Sequence, residues 1–247
     1  MKFTTLNING VKARLESALA YLRQASPDVI CLQEIKAKLD QIPESCSIEG
    51  YTCYWHGAGG YSGVGLHVRT GFARDVVCTH PEFDQETRIV QAQIEDTVFT
   101  SVYVPNGGKD FDAKIAFLHS LNAYAAGLRG RGLKLVLCGD MNIARSDMDV
   151  HPKERKPRAI GQLPQERELL EKLISDGGLV DVGRSLYPDD ESYFTWWAPW
   201  RNMKERNIGW RLDYVLASEE LAKRAVSCPS QREVGTSDHA PVVATFA

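Results

Sequence analysis

"LKLVLCGDMN", Leu133 to Asn142, decides how the rest of this chain is read. Its apolar centre is short and bounded by polar residues, the mark of a buried strand. That strand runs directly into a carboxylate, Asp140. A carboxylate flush against a buried strand is costly unless it is paired or bound to a metal. Taken alone, one such residue reads as a turn former or a helix cap. The pattern recurs, however: "VICLQE" ends in Glu34, "TTLN" ends in Asn7, and "SVYVPN" delivers Tyr103 and Asn106. "RLDYVL" carries Asp213 near its start, and Asp238-His239 immediately precede "APVV". Sheets bring strand ends together in space, so these residues are expected to share one site.

Outward from that stretch, strand-like runs recur: "KFTTLN", "YTCYWH", "GVGLHVR", "ARDVVCTH", "RIVQAQIE", "TVFTSVYVP", "YFTWW" and "PVVATF". "GAGGYSG" is expected to turn Tyr51–His56 back on Gly63–Arg69, and Glu95-Asp96 to turn Arg88–Ile94 back on Thr97–Val104. Helical periodicity appears in three places. Leu15, Leu19 and Leu22 follow "NING", and Ile115, Leu118 and Leu121 follow Asp110. Pro164 opens a third helix, with Leu169, Leu170, Leu173 and Ile174 inward and "GG" as its stop. Many strands with few helices predict an α/β chain in which two sheets pack face to face and helices cover the outer faces. With 247 residues, 43% of them hydrophobic, and no linker-like break, residues 1–247 are read as a single domain.

Composition narrows the function classes. No window approaches 18 uninterrupted apolar residues, so no membrane span is expected. "MKFTTLNING" lacks the apolar stretch of a secretory signal. Six cysteines are scattered without CxxC pairs, and Cys31 and Cys138 sit inside apolar runs. A reduced, cytoplasmic protein is the expectation. The net charge of −3 gives no bulk attraction to nucleic acid. Yet "KERKPR" (Lys153 to Arg158) is locally basic, and such patches can bind phosphate on a mildly acidic protein or simply be solvated loops.

The strand-end residues supply carboxylates, amide oxygens, one histidine and one tyrosine. Oxygen-rich ligation suits Mg²⁺ or Mn²⁺, which keep waters and bind through one or two carboxylates plus a phosphate. Zinc is disfavoured, because the sequence has no closely spaced His or Cys set. Asp238-His239, far in sequence from Asp213, fits an oriented imidazole, although a satisfied core histidine has the same signature. "GAGGYSGVG" crosses a hairpin instead of opening a helix, so its glycines read as turn residues and its GxSxG-like echo lacks the helix of a nucleophile elbow.

A last stretch stands apart. "YFTWWAPWRNMKERNIGWR", Tyr193 to Arg211, holds four of the five tryptophans together with Arg201, Lys204, Arg206 and Arg211. Trp196 and Trp197 would alternate on a strand, with Trp197 in the core. Trp200, after a proline in a basic loop, does not read as core.

In this order, "LNINGVKAR", "PDVICLQEIK", "GYSGVGL", "YVPNGG", "LCGDMN", "GWRLDYVLAS" and "SDHAPV" resemble the motifs of exonuclease III-type AP endonucleases, within the endonuclease/exonuclease/phosphatase superfamily. The resemblance runs from Lys2 to Val243. It implies a four-layer α-β-β-α sandwich of DNase I-like type, two mainly antiparallel sheets face to face with helices outside. It implies that Glu34, Asp238 and Asn7 hold the divalent ion and that Asp140 handles the proton of the attacking water. Asn142 would fix that water and a phosphate oxygen. His239, its ring held by Asp213, would bind the phosphate, and Tyr103 and Asn106 would donate to phosphate oxygens. A second ion near Asp140, Asn142 and His239 is left open.

The same resemblance assigns Trp196, Trp210 and Leu212 to a pocket for an extruded abasic deoxyribose, and Trp200 to a wedge position. Arg201, Lys204 and Arg206 would contact phosphates. Two departures stand out: Asn9 where some members carry a metal-associated aspartate, and Lys109 where some carry an arginine that enters the major groove. Lysine cannot reproduce that residue's planar fork. The implied activity is Mg²⁺-dependent hydrolysis of the phosphodiester 5′ to an abasic site, leaving a 3′ hydroxyl, with 3′-exonuclease or phosphodiesterase activity. The implied partner is double-stranded DNA with abasic sites or blocked 3′ ends, met by a monomer. The alternatives are a 3′-phosphatase or exonuclease specialist of the same family and a non-catalytic nucleic-acid-binding regulator on this fold.

Overall fold

The computed structural model describes residues 1–247, except that the side chains of residues 12–16 are not described. Leu15, placed by its periodicity on the inner face of the first helix, therefore lies outside the described residues. In chain order the elements are β1 (Lys2–Asn7), α1 (Val11–Ala25), β2 (Val29–Gln33), β3 (Tyr51–His56) and β4 (Val64–Arg69). Next come β5 (Cys78–Thr79), β6 (Ile89–Ile94), β7 (Thr97–Tyr103), α2 (Phe111–Gly130), β8 (Lys134–Asp140) and α3 (Pro164–Gly177). The last are β9 (Leu179–Asp181), α4 (Val182–Leu186), β10 (Asp213–Ser218), α5 (Glu219–Ala222), β11 (Ala225–Ser227) and β12 (Val242–Phe246).

The strands form two six-stranded sheets, ordered β11-β12-β1-β2-β4-β3 and β5-β6-β7-β8-β10-β9. Phe3, Cys31 and Leu66 of the first sheet meet Val90, Phe99, Val136, Cys138 and Val215 of the second in one apolar layer. On β8 the alternate residues Leu135 and Leu137 point the other way, into a layer with Leu118, Leu121, Leu169, Leu170 and Leu173 of α2 and α3. Leu6, Ile30 and Leu32 likewise turn outward to meet Leu19 and Leu22 of α1. Strand residues alternate faces with period two, so a strand buried on both faces is apolar throughout, as "LVLC" (Leu135 to Cys138) is. The four expected layers, α-β-β-α, are present.

Each sheet has one parallel pair, β1 with β2 and β7 with β8, and its other pairings are antiparallel. Parallel neighbours need a long crossover, and α1 and α2 supply it. This arrangement positions the site. Parallel strands finish at the same edge, so Asn7 lies opposite Gln33, one residue before Glu34, and Tyr103 lies opposite Asp140. The antiparallel strand β10 begins at that edge, with Asp213 opposite Asp140.

Local signals behave as their chemistry requires. Asp110 caps α2 by accepting from the Ala113 N–H at 2.9 Å, and Gly178 ends α3 in the left-handed region at φ 60°. Both expected hairpins form. Two strand readings are corrected. "YFTWW" is not a strand: Trp196 makes only isolated bridges to Trp210 and His239. "ARDVVCTH" contracts to Cys78–Thr79. No helix among the described residues is long and apolar enough to cross a membrane.

Candidate active site

The strand ends open into one cavity of about 350 Å³. Its floor is a set of buried ionisable groups. His239 Nδ1 lies 2.8 Å from Asp213 Oδ2, and His239 Nε2 lies 3.9 Å from Asp140 Oδ2. Burial works against the imidazolium, but the carboxylates of Asp213, Asp140 and Asp238 outweigh it and raise His239 to about 10. Burial raises Asp140 to about 7, helped by Asp213 and opposed by the charge of His239. The Asn142 N–H (2.8 Å) and Asn7 Nδ2 (3.0 Å) donate to the two oxygens of Asp140. Asn7 Oδ1 accepts from the Asn9 N–H at 3.0 Å, so this side chain leans on Asp140 and Asn9.

Glu34, Lys36 and Asn9 sit beside this floor, all with positive φ (54°, 51° and 45°). Such backbone costs free energy in non-glycine residues and clusters at functional sites. The Tyr103 hydroxyl donates to Glu34 Oε1, and burial with the nearby carboxylates keeps Tyr103 protonated. Asn9 is a bridge. Its Nδ2 donates to Asp238 Oδ1 at 2.8 Å, and its Oδ1 accepts from Lys36 Nζ at 2.6 Å. Lys36 Nζ also lies 3.4 Å from Glu34 Oε2. Burial opposes the Asp238 carboxylate, but the charge of His239 and hydrogen bonds from Asn9, Trp196 and Ser237 hold it below the usual range.

Do these residues fit a divalent ion? Glu34, Asp238 and the Asn9 amide oxygen are hard oxygen donors, and an ammonium already sits against two of them. The cluster attracts a cation, and its chemistry is that of Mg²⁺ or Mn²⁺ sites. Asp140, Asp213 and His239 also bring ligand atoms within 4.8 Å of one another.

The opposite wall is apolar. The Trp196 and Trp210 rings meet edge to face at 5.9 Å, with Leu212 beside them. Trp196 Nε1 donates to Asp238 Oδ2 at 3.1 Å, tying this wall to the floor. Ile160 and Gly161 complete it, and a Cβ on Gly161 would come within 3.1 Å of the Trp210 ring. Sequence reading missed both, and also Lys114, whose Nζ donates to the Asn142 (2.8 Å) and Asn106 (3.3 Å) carbonyls beneath the cavity. Lys114 is buried and paired with Glu166. Its place on the apolar stripe with Leu118 and Leu121 was a legible signal for a buried cation.

The remaining residues lie at the rim. Asn106 Nδ2 donates to Asn142 Oδ1 at 3.3 Å, and Lys109 Nζ stands 5.4 Å from the Tyr61 ring. Trp200 is 59% exposed on the loop that follows Trp197, outside the cavity lining, and Arg201 and Arg206 are exposed with it. Trp197 is 1% exposed, as core. Two basic residues of this segment are engaged elsewhere. Arg211 is buried against Asp149 (2.7 Å) and Asp181 (2.8 Å), and Lys204 Nζ donates to the Val234 and Ser237 carbonyls.

Known proteins share this fold. An AP endonuclease structure from Archaeoglobus fulgidus superimposes with a TM-score of 0.89 at 29% identity, covering 100% of this chain and 99% of that one. The structure of a 3′ phosphatase from Neisseria, bound to product DNA hairpin, gives 0.90 at 30% identity with the same coverage. An exodeoxyribonuclease of Bacillus subtilis (strain 168) is 34% identical over 98% of both chains. The chain spans 37% of the length of one further relative, recombination repair protein 1 of Drosophila melanogaster, at 33% identity. The sequence pattern of the Endonuclease/Exonuclease/phosphatase family matches residues 4–239, the span that carries every strand-end residue described above, and this chain belongs to that family.

Proposed function

We propose that this chain is an AP endonuclease of DNA repair, one that hydrolyses the phosphodiester 5′ to an abasic site with Mg²⁺ and leaves a 3′ hydroxyl. The observation that carries the reading is one cavity with two unlike walls. A buried Asp140–His239–Asp213 cluster with Glu34 and Asp238 faces an apolar wall of Trp196, Trp210 and Leu212. Carboxylates and an imidazole suit a scissile phosphate, while the apolar wall suits a sugar that carries no base edge to read.

Glu34, Asp238 and an amide oxygen from Asn7 or Asn9 would hold the ion. Bound there, Mg²⁺ supplies positive charge that stabilises the phosphate in its transition state and the leaving oxygen. The protein does the rest. Asp140, with a pKa near the working pH, takes the proton of the attacking water. Asn142 orients that water. His239, kept protonated by Asp213, donates Nε2–H to a phosphate oxygen as charge develops. Tyr103 and Asn106 donate to the other oxygens. Trp200 wedges into the duplex, while Arg201 and Arg206 contact its backbone. The chain works on double-stranded DNA as a single domain and a monomer.

The Neisseria 3′ phosphatase, as similar in fold as the AP endonuclease, favours one second reading: removal of 3′-blocking phosphate with the same catalytic set. The test compares a duplex carrying an internal abasic analogue with one carrying a recessed 3′ phosphate, each with Mg²⁺ and with EDTA. Faster cutting of the abasic duplex is expected; turnover of the 3′ phosphate alone replaces the first reading with the second.

A further inference from the structure

The sequence has no closely spaced pair of histidines, yet the fold brings two together with an aspartate, outside the lining of the cavity. His56 ends β3, His80 follows β5, and Asp84 lies in the turn before β6. One ligand atom from each falls within 4.8 Å of the other two. His56 Nε2 is 2.6 Å from Asp84 Oδ2, and the two imidazoles stack with centroids 4.1 Å apart and planes 13° from parallel. His80 is exposed, with its Nε2 3.4 Å from the Tyr54 hydroxyl, a contact that its ring gives up if it turns toward Asp84.

From this geometry we propose that His56, His80 and Asp84 form a binding site for a transition-metal dication of the Zn²⁺ class. The donor set selects the ion. Two imidazoles and one carboxylate suit Zn²⁺, Co²⁺ or Ni²⁺ and disfavour Mg²⁺. Three protein ligands leave a fourth position for water, on the open side next to His80. Tetrahedral bonds of about 2.0–2.1 Å place ligand atoms roughly 3.3 Å apart. Binding at that spacing requires rotation of His80 and a small parting of the His56–Asp84 pair.

The ligands are also supported from behind, as metal ligands generally are. Asp84 Oδ1 accepts from the backbone N–H of Arg88 at 2.8 Å and of Ile89 at 3.1 Å, which leaves Oδ2 directed at His56. The segment fastened in this way is strained. Glu86 and Thr87 have φ of 57° and 56°, a conformation that a β-branched threonine avoids. Arg88, next along the chain, lays its guanidinium 4.9 Å from the centre of the Tyr103 ring, whose hydroxyl meets Glu34. An ion at the three ligands therefore staples the strained turn to β3.

Co²⁺ is the probe, because a Co²⁺ ion held by nitrogen ligands in a tetrahedral site absorbs visible light strongly. The chelator-treated full chain is titrated with Co²⁺ while excess Mg²⁺ occupies the oxygen-rich site, and thermal unfolding is followed with and without Zn²⁺. Wild-type protein is expected to develop the absorption with one equivalent and to unfold at higher temperature with Zn²⁺. His80→Ala, at an exposed position outside the catalytic set, should lose both responses while keeping its Mg²⁺-dependent nuclease rate. Its Co²⁺ affinity should fall by more than the roughly 10–100-fold that loss of an outer-shell partner costs. His56→Gln should behave alike. An absorption that survives in His80→Ala, or that never appears in the wild type, overturns the site whatever the nuclease assay reports.

Discussion

Asp213 Oδ2 accepts a hydrogen bond from His239 Nδ1 across 2.8 Å, and both side chains are closed off from solvent. Held this way, the imidazole keeps its charge and presents Nε2 to the cavity. Asp213→Asn removes the charge and keeps the shape. His239, raised to about 10 in the wild type, should then titrate much closer to its ordinary 6.5. The single-turnover rate should fall about 10²–10³-fold, the usual loss for one preorganised electrostatic group. An NMR titration of the His239 ring, read beside quenched-flow rates, checks both; an unmoved titration would show that Asp213 does not set the charge.

Asp140 should govern the acid limb of the rate. Its folded pKa, about 7, lies above that of a free carboxylate, so the base form is lost as pH falls through 7. The rate should rise with pH across that range and level off above it. Asp140→Asn should bind abasic duplex nearly as wild type does and cut at least ~100-fold more slowly. A pH profile of single-turnover rates for both proteins is the measurement.

Metal affinity should depend on Asn9 and Glu34 in opposite directions. Glu34→Ala removes a charged donor, so half-maximal rate should need more Mg²⁺. Asn9→Asp places a second carboxylate 2.8 Å from Asp238, a repulsion that a dication relieves. That variant should need less Mg²⁺ and should unfold more easily when the ion is chelated. Titration of Mn²⁺ by electron paramagnetic resonance separates affinity from turnover, and excess EDTA should silence the wild type.

Trp200 and Arg201 should divide recognition between them. Trp200 is exposed, so Trp200→Ala should leave thermal stability unchanged. Base–aromatic stacking contributes about 1–3 kcal/mol per contact, so affinity for abasic duplex should drop roughly 5- to 150-fold, with little change on intact duplex. Arg201→Ala should weaken both duplexes alike and flatten the salt dependence. Equal losses on both duplexes for Trp200→Ala would return that residue to the role of a surface tryptophan.

His67 should limit stability in acid. Both of its ring nitrogens are buried without a hydrogen-bond partner, and burial lowers it from 6.5 to about 4. The unfolded chain binds this proton below pH 6.5 and the folded chain does not. Stability should therefore decline as pH falls from 6.5 to 4, by roughly 3 kcal/mol at about 1.4 kcal/mol per tenfold. His67→Leu should flatten that slope in urea unfolding curves measured across the range.

The strands of this fold were legible wherever both faces are buried, because "VICL" and "LVLC" then read as unbroken apolar runs. The site was legible because polar residues interrupt those runs at one edge. What failed depends on partners distant in the chain. Arg211 reads as one more positive charge near the tryptophans, and only folding reveals Asp149 and Asp181 around it. Lys204 is claimed by carbonyls about 30 residues away. "YFTWW" has the composition of a strand, but its backbone bonds go to Trp210, Asp238 and Ala240 in single steps, so no ladder forms. Ile160 and Gly161 carry no signal at all, since a wall residue needs only shape.

The pairing of β1 with β12 has a consequence for how the protein is made. The first strand hydrogen-bonds to the last, and Asp238-His239 stand at the entrance to that last strand. Asn7 and Asp140, whose side chains touch, are 133 positions apart. Contacts of such long separation slow folding, because the loop-closure entropy must be overcome before the contact stabilises anything. The cavity floor therefore closes only when Asn7, from before Asp140 in the chain, and His239, from after it, have both reached that carboxylate. A copy that stops before residue 238 lacks Asp238 and His239, and its cavity floor stays incomplete however well the earlier strands fold.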